Sequence, residues 1–226
     1  MSTLPLGSSP LSLRLKRLAN PASLKRMEPA SISFMGSSPI SSFLFYEPSN
    51  LEAKMEALTK EPLTAAEKQK ALLSPLDFAE VCSGGWYKRA PHLELLNEYL
   101  LKISRREITR LMVFWPPRHS KSETISHFTP PWVLCHNPEE NIILASYGQD
   151  LAEHWGRMAR DTLEEYGPTL TGISVSDDSA AAGRWQVDGH RGGFKAAGIG
   201  GAITGRGANW LIIDDAVKNS EEAWSA

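Results

Sequence analysis

A lysine and a serine that follow one apolar run, and two aspartates that close another, are the residues here best suited to chemistry. The first set is Pro116-Pro117-Arg118-His119-Ser120-Lys121-Ser122, entered from the apolar Arg110-Leu111-Met112-Val113-Phe114-Trp115. A strand that turns through a tight loop into a helix presents backbone N–H groups to an anion, and the helix dipole favours its charge. In that setting Lys121 is expected to reach the β- and γ-phosphates of a nucleotide. The Ser122 hydroxyl is expected to sit on Mg²⁺, and Arg118, His119 and Ser120 complete the nucleotide-contacting loop. The general phosphate-loop pattern has glycine where Trp115 and Ser120 stand. A positive φ at Ser120 costs a serine about 1–2 kcal/mol. Taken alone, Lys-Ser after a strand more often marks a solvated lysine in a surface turn. The second set changes that balance. Leu211-Ile212-Ile213-Asp214-Asp215 is an apolar strand delivering two carboxylates at its C-terminal end, where α/β sheets place ligands. Asp214 is expected to hold Mg²⁺, and Asp215 to orient and polarise an attacking water as general base.

Other chemistry-bearing residues have simpler readings. Arg184, Arg191, Lys195 and Arg206 alternate with Trp185 and Phe194 in a glycine-rich stretch and are candidates for DNA phosphate contact. A solvated hairpin face accounts for the first three. Arg206, beside the acidic strand, stays open as an arginine offered to a neighbouring subunit's ATP. Arg157 and Arg160 fall off the apolar face of their helix and are expected in solvent. Cys135-His136 are adjacent and face different ways, and no histidine pair has ligand spacing, so no zinc site is expected. The formal net charge of −2 gives no global pull towards nucleic acid, so any DNA contact must be local. Two distant cysteines, Cys82 and Cys135, read as reduced thiols. No apolar run reaches the roughly 18 residues needed to cross a bilayer.

The elements that must position these residues alternate. An apolar strand over 108–115 leads to a helix over 120–128 that Pro130-Pro131 stops or kinks. A buried strand over 141–146 and a helix over 149–166 follow, the helix with Leu151, Trp155, Met158 and Leu163 on one side. A hairpin is expected in the glycine-dense 183–207, then the acidic strand over 209–215. Upstream, a helix over 92–101 puts Leu93, Leu96 and Leu100 on one face. This alternation predicts an α/β sheet, parallel at its centre and covered on both faces. Residues 1–50 are rich in Ser and Pro, hold few acids and carry scattered basic residues. The recurrent prolines favour a disordered arm, or translated sequence upstream of the true start, over a targeting peptide. Residues 51–75 read as a helical linker and 76–226 as the α/β domain.

Several segments, in order, resemble the large terminase subunit of tailed bacteriophages. They are Pro116-Pro117-Arg118-His119-Ser120-Lys121-Ser122-Glu123, Asn141-Ile142-Ile143-Leu144-Ala145-Ser146-Tyr147 with Leu151-Ala152, and Gly200-Gly201-Ala202-Ile203-Thr204-Gly205-Arg206-Gly207-Ala208 leading into Leu211-Ile212-Ile213-Asp214-Asp215, followed by Lys218-Asn219 and Glu221-Glu222-Ala223. The resemblance covers about residues 76–226. It implies a three-layer P-loop NTPase with a mostly parallel central sheet, incomplete at its C-terminus, that binds ATP and Mg²⁺. It further implies hydrolysis that drives double-stranded DNA into a capsid, in the cytoplasm of a bacterial host. Double-stranded DNA, a small terminase subunit, a portal protein and a homo-oligomeric ring are the implied partners. Position by position, Lys121 and Ser122 take the phosphate and Mg²⁺ roles, Asp214 the metal, and Asp215 the catalytic acid position. The adenine-contacting segment maps loosely near Arg89-Ala90-Pro91-His92. Ser120 stands where the family usually has glycine, which weighs against full activity. The family's coupling motif and nuclease domain lie beyond Ala226, so a fragment or a decayed prophage gene is expected. A non-catalytic remnant and a fragment of another DNA-acting motor, such as a helicase, are the alternatives.

Overall fold

The computed structural model describes residues 61–201 and 207–217. The expected arm over 1–50, residues 51–60, Arg206 and the stretch from 218 onward lie outside the described residues.

Capping residues set the first helices. Helix α1 (Ala65–Ala71) opens on a capping box, in which Thr64 Oγ1 accepts from the Glu67 amide and the Glu67 carboxylate accepts from the Thr64 amide at 2.8 Å. Helix α2 (Pro75–Cys82) starts with Ser74 as cap and Pro75 in its first turn. Helix α3 (Pro91–Ser104) buries Leu93, Leu96 and Leu100, the face that the spacing predicts. It also buries Asn97, whose Oδ1 accepts from the Leu76 amide at 3.1 Å and ties α3 to the first turn of α2. Ala71 at the end of α1 is fully buried in the same core as α2, α3 and the sheet.

The expected helix over 120–128 takes another form. Residues Glu123–Phe128 make a π-helical turn, and α4 (Thr129–His136) follows without a break. The two prolines lie in the first turn of α4, which they do not stop.

Strand β1 (Asn141–Ser146) matches its predicted range. Helix α5 (Gln149–Leu170) runs past Pro168. Its sheet-facing side differs from the predicted stripe: Ala152, Gly156, Ala159 and Leu163 are buried, whereas Leu151, Trp155 and Met158 are half-buried flanks. Small residues win that face because the helix lies close to the sheet. Trp185 Nε1 donates to the Gly156 carbonyl at 2.9 Å.

Strands β2 (Val175–Ala181), β3 (Arg184–Val187), β4 (Gly193–Gly198) and β5 (Trp210–Ile213) complete a five-stranded sheet of order β2-β3-β4-β1-β5. Strand β1 pairs in parallel with both β4 and β5, whereas β2-β3 and β3-β4 are antiparallel. The fold is α/β with a mixed sheet, parallel at its centre; the hairpin expected over 183–207 forms as β3-β4, and β2, outside that range, adds a second antiparallel pair. Ile142, Leu144, Phe194, Ala196, Trp210 and Ile212 share the buried face under the helices. Cover on both faces does not extend to β5, where Leu211 and Ile213 are exposed.

The strand expected over 108–115 is a correction. It joins no ladder among the described residues, and Met112 and Phe114 are 78% and 81% exposed. A central strand needs apolar cover on both faces, and among the described residues nothing covers these two side chains.

Candidate functional site

The loop over 116–122 and the end of β5 meet. Lys121 Nζ lies 2.8 Å from Asp214 Oδ1 and 3.2 Å from Asp215 Oδ1. The ammonium therefore bridges the two carboxylates. Burial works against the charged lysine, yet the hydrogen bond and charge of Asp214, reinforced by Asp215, prevail and raise its pKa. Asp214 is buried and Asp215 is largely exposed. Burial separates the two acids into a fixed one and a wet one.

Local backbone produces this arrangement. Arg118 and Ser120 both have positive φ, 63° and 59°, and Asp215 has φ 46°. Ser120 thus stands in the left-handed conformation that glycine adopts without strain. The loop is held from outside by α3: His92 Nε2 lies 3.3 Å from the His119 carbonyl oxygen, and its ring packs edge-on against Trp115 at 5.0 Å. The His119 ring turns back to its own loop, with Nδ1 2.8 Å from the Pro117 carbonyl oxygen. Arg118 and His119 are exposed, and Ser122 leads into the π-helical turn.

That turn is dense in buried polar side chains. Thr124 Oγ1 bonds to the Ser120 carbonyl oxygen at 2.7 Å and to the Tyr87 hydroxyl. Ser126 Oγ donates to Asp214 Oδ2 at 2.9 Å. His127 bonds Glu123 at 2.9 Å and Thr162 of α5 at 2.8 Å. Burial pushes the Tyr87 hydroxyl pKa up, with the Thr124 bond working the other way. No buried side-chain nitrogen or oxygen among the described residues lacks a partner. Wide π turns are rare and collect at functional sites.

A cleft of about 670 Å³ runs along the free edge of β5. Ile103, Leu111, Val113, Leu211 and Ile213 line it together with Lys121 and Asp214.

The oxygen set is suited to a hard divalent cation. Magnesium is commonly held by one or two carboxylates together with substrate phosphates and water. Asp214 and Asp215 offer donors of that kind, and the carboxylate pair already holds a cation in the form of the Lys121 ammonium. No group of three or more His, Cys, Asp or Glu suited to a metal occurs among the described residues.

The remaining predicted residues divide. Arg184 and Lys195 are cross-strand neighbours on the outer side of the hairpin, while Trp185 and Phe194 stack at 5.4 Å inside the core. The aromatic interleaving is therefore packing. Arg191 and Arg157 are exposed. Arg160 donates to the Ala180 carbonyl at 2.6 Å and links α5 to β2. Arg206 lies outside the described residues. Cys135 is buried, with its thiol pushed up to about 11 by burial, and the His136 ring lies 2.9 Å from the Trp132 carbonyl oxygen.

His92 belongs to the segment mapped loosely to adenine contact, whereas nothing in the sequence singles out Ser126, Thr124 or Tyr87. In an α-helix, residues three and four apart share a face, so Ser126, five beyond Lys121, falls off it. The wider π turn brings both to one carboxylate. Comparison with family models, curated proteins and solved structures gives no match to this chain. Among the described residues no helix is long and apolar enough to cross a membrane.

Proposed function

We propose that this chain is the ATP-binding, Mg²⁺-dependent ATPase portion of a DNA-packaging motor of the terminase large-subunit kind. The observation that carries the reading is the meeting of Lys121 with Asp214 and Asp215, the latter 94 positions away in sequence, at 2.8 and 3.2 Å. A solvated lysine in a surface turn has no reason to find both acids that the phosphate-loop pattern requires. The cleft beside them falls within the range of about 300–1,000 Å³ typical of ligand sites.

In this reading the Lys121 ammonium leaves the carboxylate pair for the β- and γ-phosphate oxygens of ATP, and the amides of the 116–122 loop hold the remaining oxygens. Asp214 and Ser122 would hold Mg²⁺, which supplies charge neutralisation across the phosphates. Asp215, on the solvent side, orients the attacking water and takes its proton. Positioning and charge stabilisation supply most of the rate. Double-stranded DNA, a small terminase subunit, a portal protein and a ring of like subunits are the partners this function requires.

The test is titration of the chain with ATP and Mg²⁺. Mg²⁺-dependent binding that Lys121→Ala abolishes is expected. Undetectable binding, or binding that Lys121→Ala leaves unchanged, refutes the nucleotide site. Stimulation of hydrolysis by double-stranded DNA is expected for a packaging motor, and stimulation by single strands alone points to a helicase. A second reading, a protein that binds nucleotide without turning it over, is favoured by the strained Ser120. Tight binding with no phosphate release would select it.

A further inference from the structure

Ser126 occupies a place that the Lys121, Ser122, Asp214 and Asp215 roles leave unexplained. Its side chain is fully buried, and its Oγ donates to Asp214 Oδ2 at 2.9 Å. The other oxygen of that carboxylate, Oδ1, holds Lys121 Nζ at 2.8 Å. A helical serine or threonine commonly returns its proton to a carbonyl about one turn back. Two neighbours do so here: Thr124 bonds to the Ser120 carbonyl oxygen and Thr129 to that of Thr124, each at 2.7 Å. Ser126 instead gives its one proton to a carboxylate 88 residues away.

The consequence is directional. The outer torsion of an aspartate is broad, and the carboxylate plane turns easily unless something fixes it. A buried donor on Oδ2 fixes the plane and leaves Oδ1 as the oxygen that faces the loop. Resting on the ATP–Mg²⁺ reading, we propose that Ser126 is a positioning residue. It locks the Asp214 carboxylate so that Oδ1 points into the cation subsite now filled by the Lys121 ammonium. The π-helical turn is what makes this possible, because it carries Lys121 and Ser126 to opposite oxygens of one side chain. Ligating carboxylates depend on such outer hydrogen bonds, whose loss typically lowers metal affinity about 10–100-fold.

The experiment measures Mn²⁺ affinity of the full chain with ATP, by electron paramagnetic resonance, together with thermal melting without metal. Ser126→Ala is expected to weaken Mn²⁺ binding by about 10-fold or more. Ser126→Cys, a weaker donor of similar size, is expected to fall between parent and alanine variant. Val187→Ala thins the core under β3, at a residue that neither lines the cleft nor touches Asp214. It is expected to lower the melting temperature and leave Mn²⁺ affinity unchanged. If the alanine variant does not fold, the gap between parent and Ser126→Cys carries the test. Equal affinity in parent and Ser126 variants, or an equal loss in Val187→Ala, overturns the positioning role while the nucleotide reading stands. A parent chain that binds no Mn²⁺ with ATP overturns both.

Discussion

Lys121 and Asp214 form an ion pair at 2.8 Å across which the loop and the sheet are joined. The pair is asymmetric: the Asp214 side chain is 6% exposed, that of Lys121 27%, and that of Asp215 57%. Breaking a buried pair by removing one partner costs about 3–5 kcal/mol. Partial exposure of Lys121 and the remaining Asp215 reduce that figure. Asp214→Asn is therefore expected to lower unfolding stability by about 2 kcal/mol, and Asp215→Asn by about 0.5 kcal/mol or less. Urea denaturation without nucleotide measures both, and equal losses would remove the distinction between the acids. The lysine's contribution also has a sign in pH. Its raised pKa makes the stabilisation fully present below the ordinary lysine value of 10.5 and lost only as pH rises through the raised value. The lysine's part of the gap should hold from about pH 6 to about pH 9.

Ser120 carries the strain of the loop. Its φ of 59° costs a non-glycine residue about 1–2 kcal/mol. Glycine removes that term but loses roughly 0.4–1 kcal/mol through the freer unfolded chain. Ser120→Gly is expected to gain a net stability of about 0.5–1 kcal/mol and to tighten ATP binding, because the loop amides reach their conformation without strain. A lower melting temperature with weaker binding would mean that the serine fits its place.

The residues of the site were legible where one local rule sufficed. The structure brings Lys121, Asp214 and Asp215 together, and β1 and α3 follow from apolar spacing. What escaped depends on tertiary choices. The stripe over α5 was misplaced because the helix approaches the sheet through Ala152, Gly156 and Ala159, so contact distance outweighed residue hydrophobicity. The run at 110–115 has strand composition, but composition cannot say whether cover exists for Met112 and Phe114. Ser126 was invisible because a π turn has no simple periodic signature.

A carboxylate outside the 116–122 loop and the acidic strand gives a pH test. Glu80 meets Lys70 at 2.6 Å and Arg89 at 3.1 Å, and Arg89 also pairs with Asp77 and Glu94. Burial opposes the Glu80 charge, but the bonds from Lys70 and Arg89 outweigh it and lower the pKa below the ordinary 4.5. A lowered carboxylate pKa gives stability that is present above 4.5 and lost as pH falls through the folded value. Glu80→Gln should therefore melt below the parent at neutral pH, and the gap should close between about pH 5 and about pH 3. A gap that widens in acid would contradict the pairing.

Gly156 tests the packing of α5 on the hairpin and sheet by the sign of one substitution. On an exposed helix, glycine to alanine gains about 1 kcal/mol, because alanine orders the backbone more cheaply. Here a Cβ would lie 2.4 Å from the Ala182 carbonyl oxygen and 2.9 Å from Phe194 Cε1. The first of these is backbone and cannot swing aside. Phe194, for its part, is stacked on Trp185, whose indole nitrogen is bonded to the Gly156 carbonyl at 2.9 Å. Overpacking of this kind costs about 1–3 kcal/mol, more than the propensity gain. Gly156→Ala is expected to destabilise the domain by about 1–2 kcal/mol in urea. The indole fluorescence of Trp185 should shift as its hydrogen bond is strained. A variant more stable than the parent would place α5 farther from β4 than the close contact described here, and would loosen the frame that brings the 116–122 loop to Asp214.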